Sequence, residues 1–147
     1  MDTASIEVGA APTRVWDLVT DIAGYHRFSP ENTGGHWTGG EPVTVGATFT
    51  GRNRHGLVRW TTHCTVVDVV AGQRFSFQSD EPKARWTYLV EPTETGSRIT
   101  ETREIYATPA WYVRMVQRST LIGSDRDALM QAGMRETLAK MKAHLER

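Results

Sequence analysis

Residues 57–70 read LVRWTTHCTVVDVV, and their period of two decides the fold. Trp60, Thr62, Cys64 and Val66 fall on one face, and Arg59, Thr61, His63 and Thr65 on the other, the pattern of a strand buried on one side. The run is long for one strand, so a bulge is expected within it. Outward from it, residues 36–38, 47–54, 74–79, 84–91 and 97–106 also alternate. Turn signals separate these runs at Gly39-Gly40, Arg54-His55-Gly56, Ala71-Gly72, Glu81-Pro82 and Pro92 to Gly96. Such short connections imply antiparallel hairpins.

Helices flank the strand block. Residues 3–8 read as a first strand, with Ala4, Ile6 and Val8 on one side. Pro12 then suits a first helical position, Val15, Leu18, Val19 and Ile22 follow at helical spacing, and Gly24 can end that helix. At the other end, Met130, Met134, Leu138, Met141 and Leu145 form one stripe of a helix of about 22 residues. Asp127, Gln131, Arg135, Lys142 and Glu146 form the opposite stripe. Ser124-Asp125-Arg126-Asp127 loosely matches a capping box at its start. The order is strand, helix, six strands, long helix, in an α+β chain. A sheet with one apolar face needs a cover, and the last helix has the stripe to supply it.

The bulk numbers bound the function. The chain has 147 residues, one domain of ordinary size. Lys plus Arg is 17 and Asp plus Glu is 17, without the basic excess usual in a nucleic-acid binder. One cysteine, Cys64, permits no intramolecular disulfide. No secretory signal is visible at the N-terminus and no stretch approaches a membrane span, so the expected address is cytoplasmic. The five histidines show no metal-ligand spacing, and no phosphate-binding glycine loop is present; neither a metal nor a cofactor is expected.

Several strings, in order, carry a resemblance. They are Val15-Trp16-Asp17-Leu18-Val19-Thr20-Asp21, Phe28-Ser29-Pro30-Glu31, Gly46-Ala47-Thr48-Phe49, Gly51-Arg52-Asn53-Arg54, Trp60 through Val66, Gly72-Gln73-Arg74-Phe75, Trp86-Thr87-Tyr88, Glu91-Pro92 and Gly96-Ser97-Arg98-Ile99-Thr100. Together they resemble the START-like, helix-grip superfamily (SRPBCC), of the polyketide cyclase/dehydrase and lipid transport type. The resemblance covers nearly the whole chain. It implies a curved seven-stranded antiparallel sheet around a long C-terminal helix, with short helices after the first strand and a ligand cavity between sheet and helix. The family has no universal catalytic motif, so no reaction is implied.

The residues themselves nominate a lining. Trp60, Phe77, Trp86 and Tyr88 face inward by alternation, joined by Phe49 and Trp37 from earlier strands and by Met130 and Met134 from the covering helix. Large aromatics and methionines also build plain cores, so a core and a pocket predict the same pattern. Glu101 and Arg103 alternate with Ile99 and Ile105 and are expected inside. A buried charge must be paired or hydrogen-bonded. The pair is either a structural ion pair, a bulge turned outward, or a polar anchor for a ligand; Asn53 and Glu31 are further anchor candidates. Cys64 and its neighbour His63 point to opposite faces and form no catalytic dyad. Arg52, Arg54 and Arg59 read as a solvated edge.

Three functions follow. The first is a carrier for a hydrophobic or amphipathic small molecule (lipid, polyketide or isoprenoid-like), with residues 25–35 or 108–123 as a lid. Both stretches hold exposed-looking aromatics such as Tyr25, Trp111 and Tyr112. The second is an aromatase/cyclase-type enzyme using Tyr88, Glu101 and Arg103, with Glu101 as general base. The third is an interaction module with a filled core. The apolar segment 110–122 suits a dimer contact as well as a lid, leaving monomer or homodimer open.

Overall fold

The computed structural model describes residues 1–80, 83–106 and 120–147, and the side chains within those ranges except 120–127 and 129. β1 is Asp2–Val8, α1 Pro12–Val19, and a 3₁₀ helix spans Ile22–Arg27. β2 (Asn32–Gly39), β3 (Thr48–His55), β4 (Val58–Val70), β5 (Arg74–Ser79), β6 (Ala84–Thr93) and β7 (Gly96–Ile105) follow, and α2 (Thr120–Leu145) closes the chain. The strands form one antiparallel sheet in the order β1-β7-β6-β5-β4-β3-β2. It is the seven-stranded, helix-grip architecture expected. Consecutive hairpins run from β2 to β7, and β1 adds to the far edge beside β7.

The alternation on β4 is as read: Cys64 and Val66 are buried, Trp60 and Thr62 half-buried, and Arg59, Thr61, His63 and Thr65 exposed. The expected bulge lies between Val66 and Asp68, where the register with β5 shifts. Four readings need correction. β2 covers eight residues rather than residues 36–38. Gly34 and Gly35 hide its alternation, and a Cβ at Gly35 would lie 2.8 Å from the Thr50 carbonyl and 3.3 Å from that of Ile22. These glycines therefore let β2 pass close to β3 and the 3₁₀ helix. α1 ends at Val19, with the Thr20 hydroxyl donating to the Trp16 carbonyl at 2.8 Å, so Gly24 sits inside the 3₁₀ helix instead of ending α1. α2 is already helical from Thr120, so its start lies ahead of Ser124 and not at the capping-box string. Tyr25 is turned inward rather than exposed, as described below. Residues 81–82 and 107–119 lie outside the described residues, and with them Trp111, Tyr112 and most of the expected lid or dimer segment.

α2 runs along β1. Gln131 Nε2 donates to the Thr3 carbonyl at 2.7 Å and Lys142 Nζ to that of Glu7 at 2.9 Å. On its other flank Phe28 meets the His144 ring at 5.5 Å. Met134, Leu138, Met141 and Leu145 are buried and Met130 half-buried, so the apolar stripe covers the sheet as expected. The tightest packing sits under α1 and the C-terminal half of α2. Val15, Val19, Ile22, Phe75, Val90, Ile99, Leu138 and Met141 have essentially no exposure there.

Candidate functional site

Burial on the concave face falls off along the strands. Phe75, Val90 and Ile99 are sealed at the α1 end. Toward the opposite end Trp86 on β6, Trp60 and Thr62 on β4, Asn53 on β3 and Met130 on α2 are each only half-buried. The expected lining residues thus divide into two groups. Trp37, Phe49 and Phe77 stack edge to face, with centroids 5.2 Å and 5.0 Å apart, and Phe77 continues to Phe75 at 5.7 Å. These rings, with the buried Met134, form a wall that is also core. Trp60 makes no such ring contact among the described residues. It pairs across the ladder with Asn53, whose side chain donates to the Thr62 hydroxyl at 2.7 Å. Glu31 lies at the rim, 3.5 Å from His55 Nδ1, and does not join the group.

Glu101 and Arg103 both point inward: they are 2% and 8% exposed, and the β7 register is continuous on both sides. They do not pair with each other. Arg103 Nη1 meets Asp2 Oδ2 at 2.8 Å, its guanidinium lies 5.9 Å from the Trp86 ring centroid, and its Nε has no partner. Glu101 stands opposite Tyr88 on β6, whose phenol favours the charged carboxyl, while Glu101 Oε2 has no partner. Among the described residues no cation compensates this carboxyl. Desolvation pushes its pKa from 4.5 up to about 7, and the neighbouring Tyr88 phenol holds the rise down.

Tyr25 completes the cluster. Its ring lies 6.1 Å from that of Tyr88, and its hydroxyl donates to the Val19 carbonyl. Burial, then the neighbouring Glu101, raises the pKa of both phenols well above the ordinary value. The sequence did hold a signal for Tyr25. Ile22, Tyr25 and Phe28 are spaced by three, and side chains at that spacing share a face of a 3₁₀ helix. Cys64 is buried beside this group, whereas His63 is exposed on the opposite face.

The arrangement can bind and orient. Apolar walls flank one buried acid with a free oxygen, next to two phenols that stay protonated. Among the described residues no cluster of three His, Cys, Asp or Glu is placed to hold a metal ion. No described helix is long and apolar enough to cross a membrane. A cavity of about 360 Å³ lies on the outer face of the sheet, lined by Asp68, Arg74, Ser76, Arg85, Thr87 and Glu104. It is separate from the concave site.

Among solved structures, the chain is similar to a polyketide-cyclase-like protein of Corynebacterium glutamicum at 28% identity and TM-score 0.70, over 95% of this chain and 87% of that one. A protein of Thermus thermophilus matches at 18% identity and TM-score 0.70, over 98% and 95%. The di-domain ARO/CYC StfQ of the steffimycin biosynthetic pathway matches at 12% identity and TM-score 0.77, over 97% of this chain and 49% of that one. The last two likenesses concern the fold alone. No curated protein matches the chain. The family model described as polyketide cyclase / dehydrase and lipid transport matches residues 3–146. On that match over nearly its whole length, the chain belongs to the polyketide cyclase / dehydrase and lipid transport family.

Proposed function

We propose that residues 1–147 act as a single ligand-binding domain that holds a hydrophobic or amphipathic small molecule, lipid, polyketide or isoprenoid-like, between the concave sheet and α2. The apolar body lies against Trp60, Phe77, Trp86 and Met130, and the polar end reaches Tyr88 and Glu101. The observation that carries this reading is the free Oε2 of Glu101, buried on an aromatic wall. An unpartnered buried polar atom costs stability, and a ligand hydroxyl could supply the missing bond. A carboxylate head group would meet the Glu101 charge, so a neutral polar end fits best. A native mass spectrum of freshly purified protein tests this. A discrete adduct that is lost on denaturation and extracts as an apolar compound supports it. A bare mass, together with no binding of neutral amphipathic probes, counts against it.

One observation also favours an aromatase/cyclase-type reaction. An acid held near pH 7 beside an apolar wall is suited to accept and return a proton. Glu101→Gln should then abolish turnover of a polyketide-like substrate while leaving its affinity nearly unchanged. Loss of affinity and turnover together, with a lower Tm, would assign Glu101 to structure.

A further inference from the structure

Among the described residues, the large hydrophobic side chains left exposed gather at one end of the sheet. Leu57 is 96% and Val58 64% exposed at the β3–β4 turn, and Met1, Ile105 and Tyr106 are exposed where β1 begins and β7 ends. Only Val45 lies elsewhere. The turn also projects. β5 ends at Ser79 opposite Cys64 and β2 begins at Asn32 opposite Asn53, so the hairpin end from Arg54 to Arg59 runs on past both neighbours, by about 7–10 Å at strand rise.

Neither folding nor turn chemistry asks for an aliphatic tip. His55 pairs with Val58, leaving Gly56 and Leu57 as a two-residue turn. Gly56 has φ +63, as the first central position of a II′ turn requires. The second position has no need of leucine; turns favour small polar residues. Below the tip, Arg54 stands directly opposite Arg59, and Arg52 shares their outer face. Like charges placed opposite each other destabilise a ladder. No ion pair joins these three arginines to a carboxylate among the described residues, and the nearby Glu31 is engaged by His55.

We propose that the β3–β4 hairpin tip docks the protein on an anionic lipid bilayer, with Leu57 and Val58 entering the interface and Arg52, Arg54 and Arg59 meeting lipid phosphates. Two aliphatic side chains at the end of a narrow projection need a soft surface rather than a matching hole. Three cations just behind them suit a sheet of negative charge. Asn53 and Trp60 lie on the same two strands, facing the concave side. Docking therefore sets the half-buried end of the candidate site beside the bilayer. The inference is independent of which ligand, if any, that site holds.

Vesicle co-sedimentation tests it, using pure phosphatidylcholine vesicles and vesicles with added phosphatidylserine. The full chain should partition onto the anionic vesicles and not the neutral ones. The double variant Leu57→Ser/Val58→Ser should lower that partition at least about tenfold. The triple variant Arg52→Gln/Arg54→Gln/Arg59→Gln should lower it by about fivefold per arginine. Both variants should keep the wild-type Tm, since all five side chains are exposed. Absence of partition, or partition that survives in both variants, would overturn the proposal. Retention on an acidic polypeptide without any vesicle binding would also overturn it, in favour of an acidic protein partner.

Discussion

Tyr88 stands opposite Glu101 on the β6–β7 ladder, and its phenol favours the charged acid, opposing the effect of burial. Burial raises the folded pKa from 4.5 to about 7. The folded chain therefore holds more protons than the unfolded chain between those values. Its stability from this group is complete below pH 4.5 and is lost as pH rises to about 7. At about 1.4 kcal/mol per pH unit, the loss is of order 3 kcal/mol. Urea unfolding at pH 5 and pH 8 should show that fall. Glu101→Gln should flatten it and be the more stable protein at pH 8. An unchanged pH profile in the variant would place the titration elsewhere.

Removing the Tyr88 hydroxyl should move the same titration upward. Tyr88→Phe removes the hydroxyl that favours the charged acid and leaves the desolvation. A carboxyl ¹³C titration of Glu101 by NMR should then place its midpoint above about 7. A midpoint that stays in place would show that the phenol does not serve the carboxylate.

The two ends of the concave face should respond differently to truncation. Phe75 is fully buried and touches Trp16 and Phe77. Phe75→Ala should cost about 3–5 kcal/mol. Trp60 is half-buried without a ring partner among the described residues. Trp60→Ala should cost about 1 kcal/mol or less and act chiefly on ligand affinity. Denaturant midpoints of the two variants separate core from wall.

The strands were legible because one buried face imposes a period of two, and residues 74–79 were read to both ends. β2 was not, since Gly34 and Gly35 have no side chains to alternate and their role is closeness to Thr50 and Ile22. The inward direction of Glu101 and Arg103 was legible from Ile99, but their partners were not. Partner choice depends on cross-strand register, which sets Glu101 against Tyr88 and Ala4, and Arg103 against Trp86 and Asp2. Tyr25 was missed because a short 3₁₀ turn of mixed residues looks like surface until the sheet beneath it is known.

That register makes Asp2 the counter-ion of Arg103, a role no local pattern announces. Asp2→Asn would leave a nearly buried guanidinium with the Trp86 ring as its main compensation. Breaking a fully buried pair costs about 3–5 kcal/mol. The Asp2 side chain is 21% exposed, so water softens the penalty, and about 2 kcal/mol is expected. Replacing both partners removes the stranded charge, so Asp2→Asn/Arg103→Met should be more stable than Asp2→Asn alone. Arg103 is not among the causes of the Glu101 shift. The same double variant should therefore leave the Glu101 midpoint near 7. Urea unfolding of the wild type, both single variants and the double variant measures the coupling, and a carboxyl titration of the double variant checks the independence. A Glu101 midpoint displaced by the loss of Arg103 would mean that the two buried charges form one unit, contrary to their separate partners.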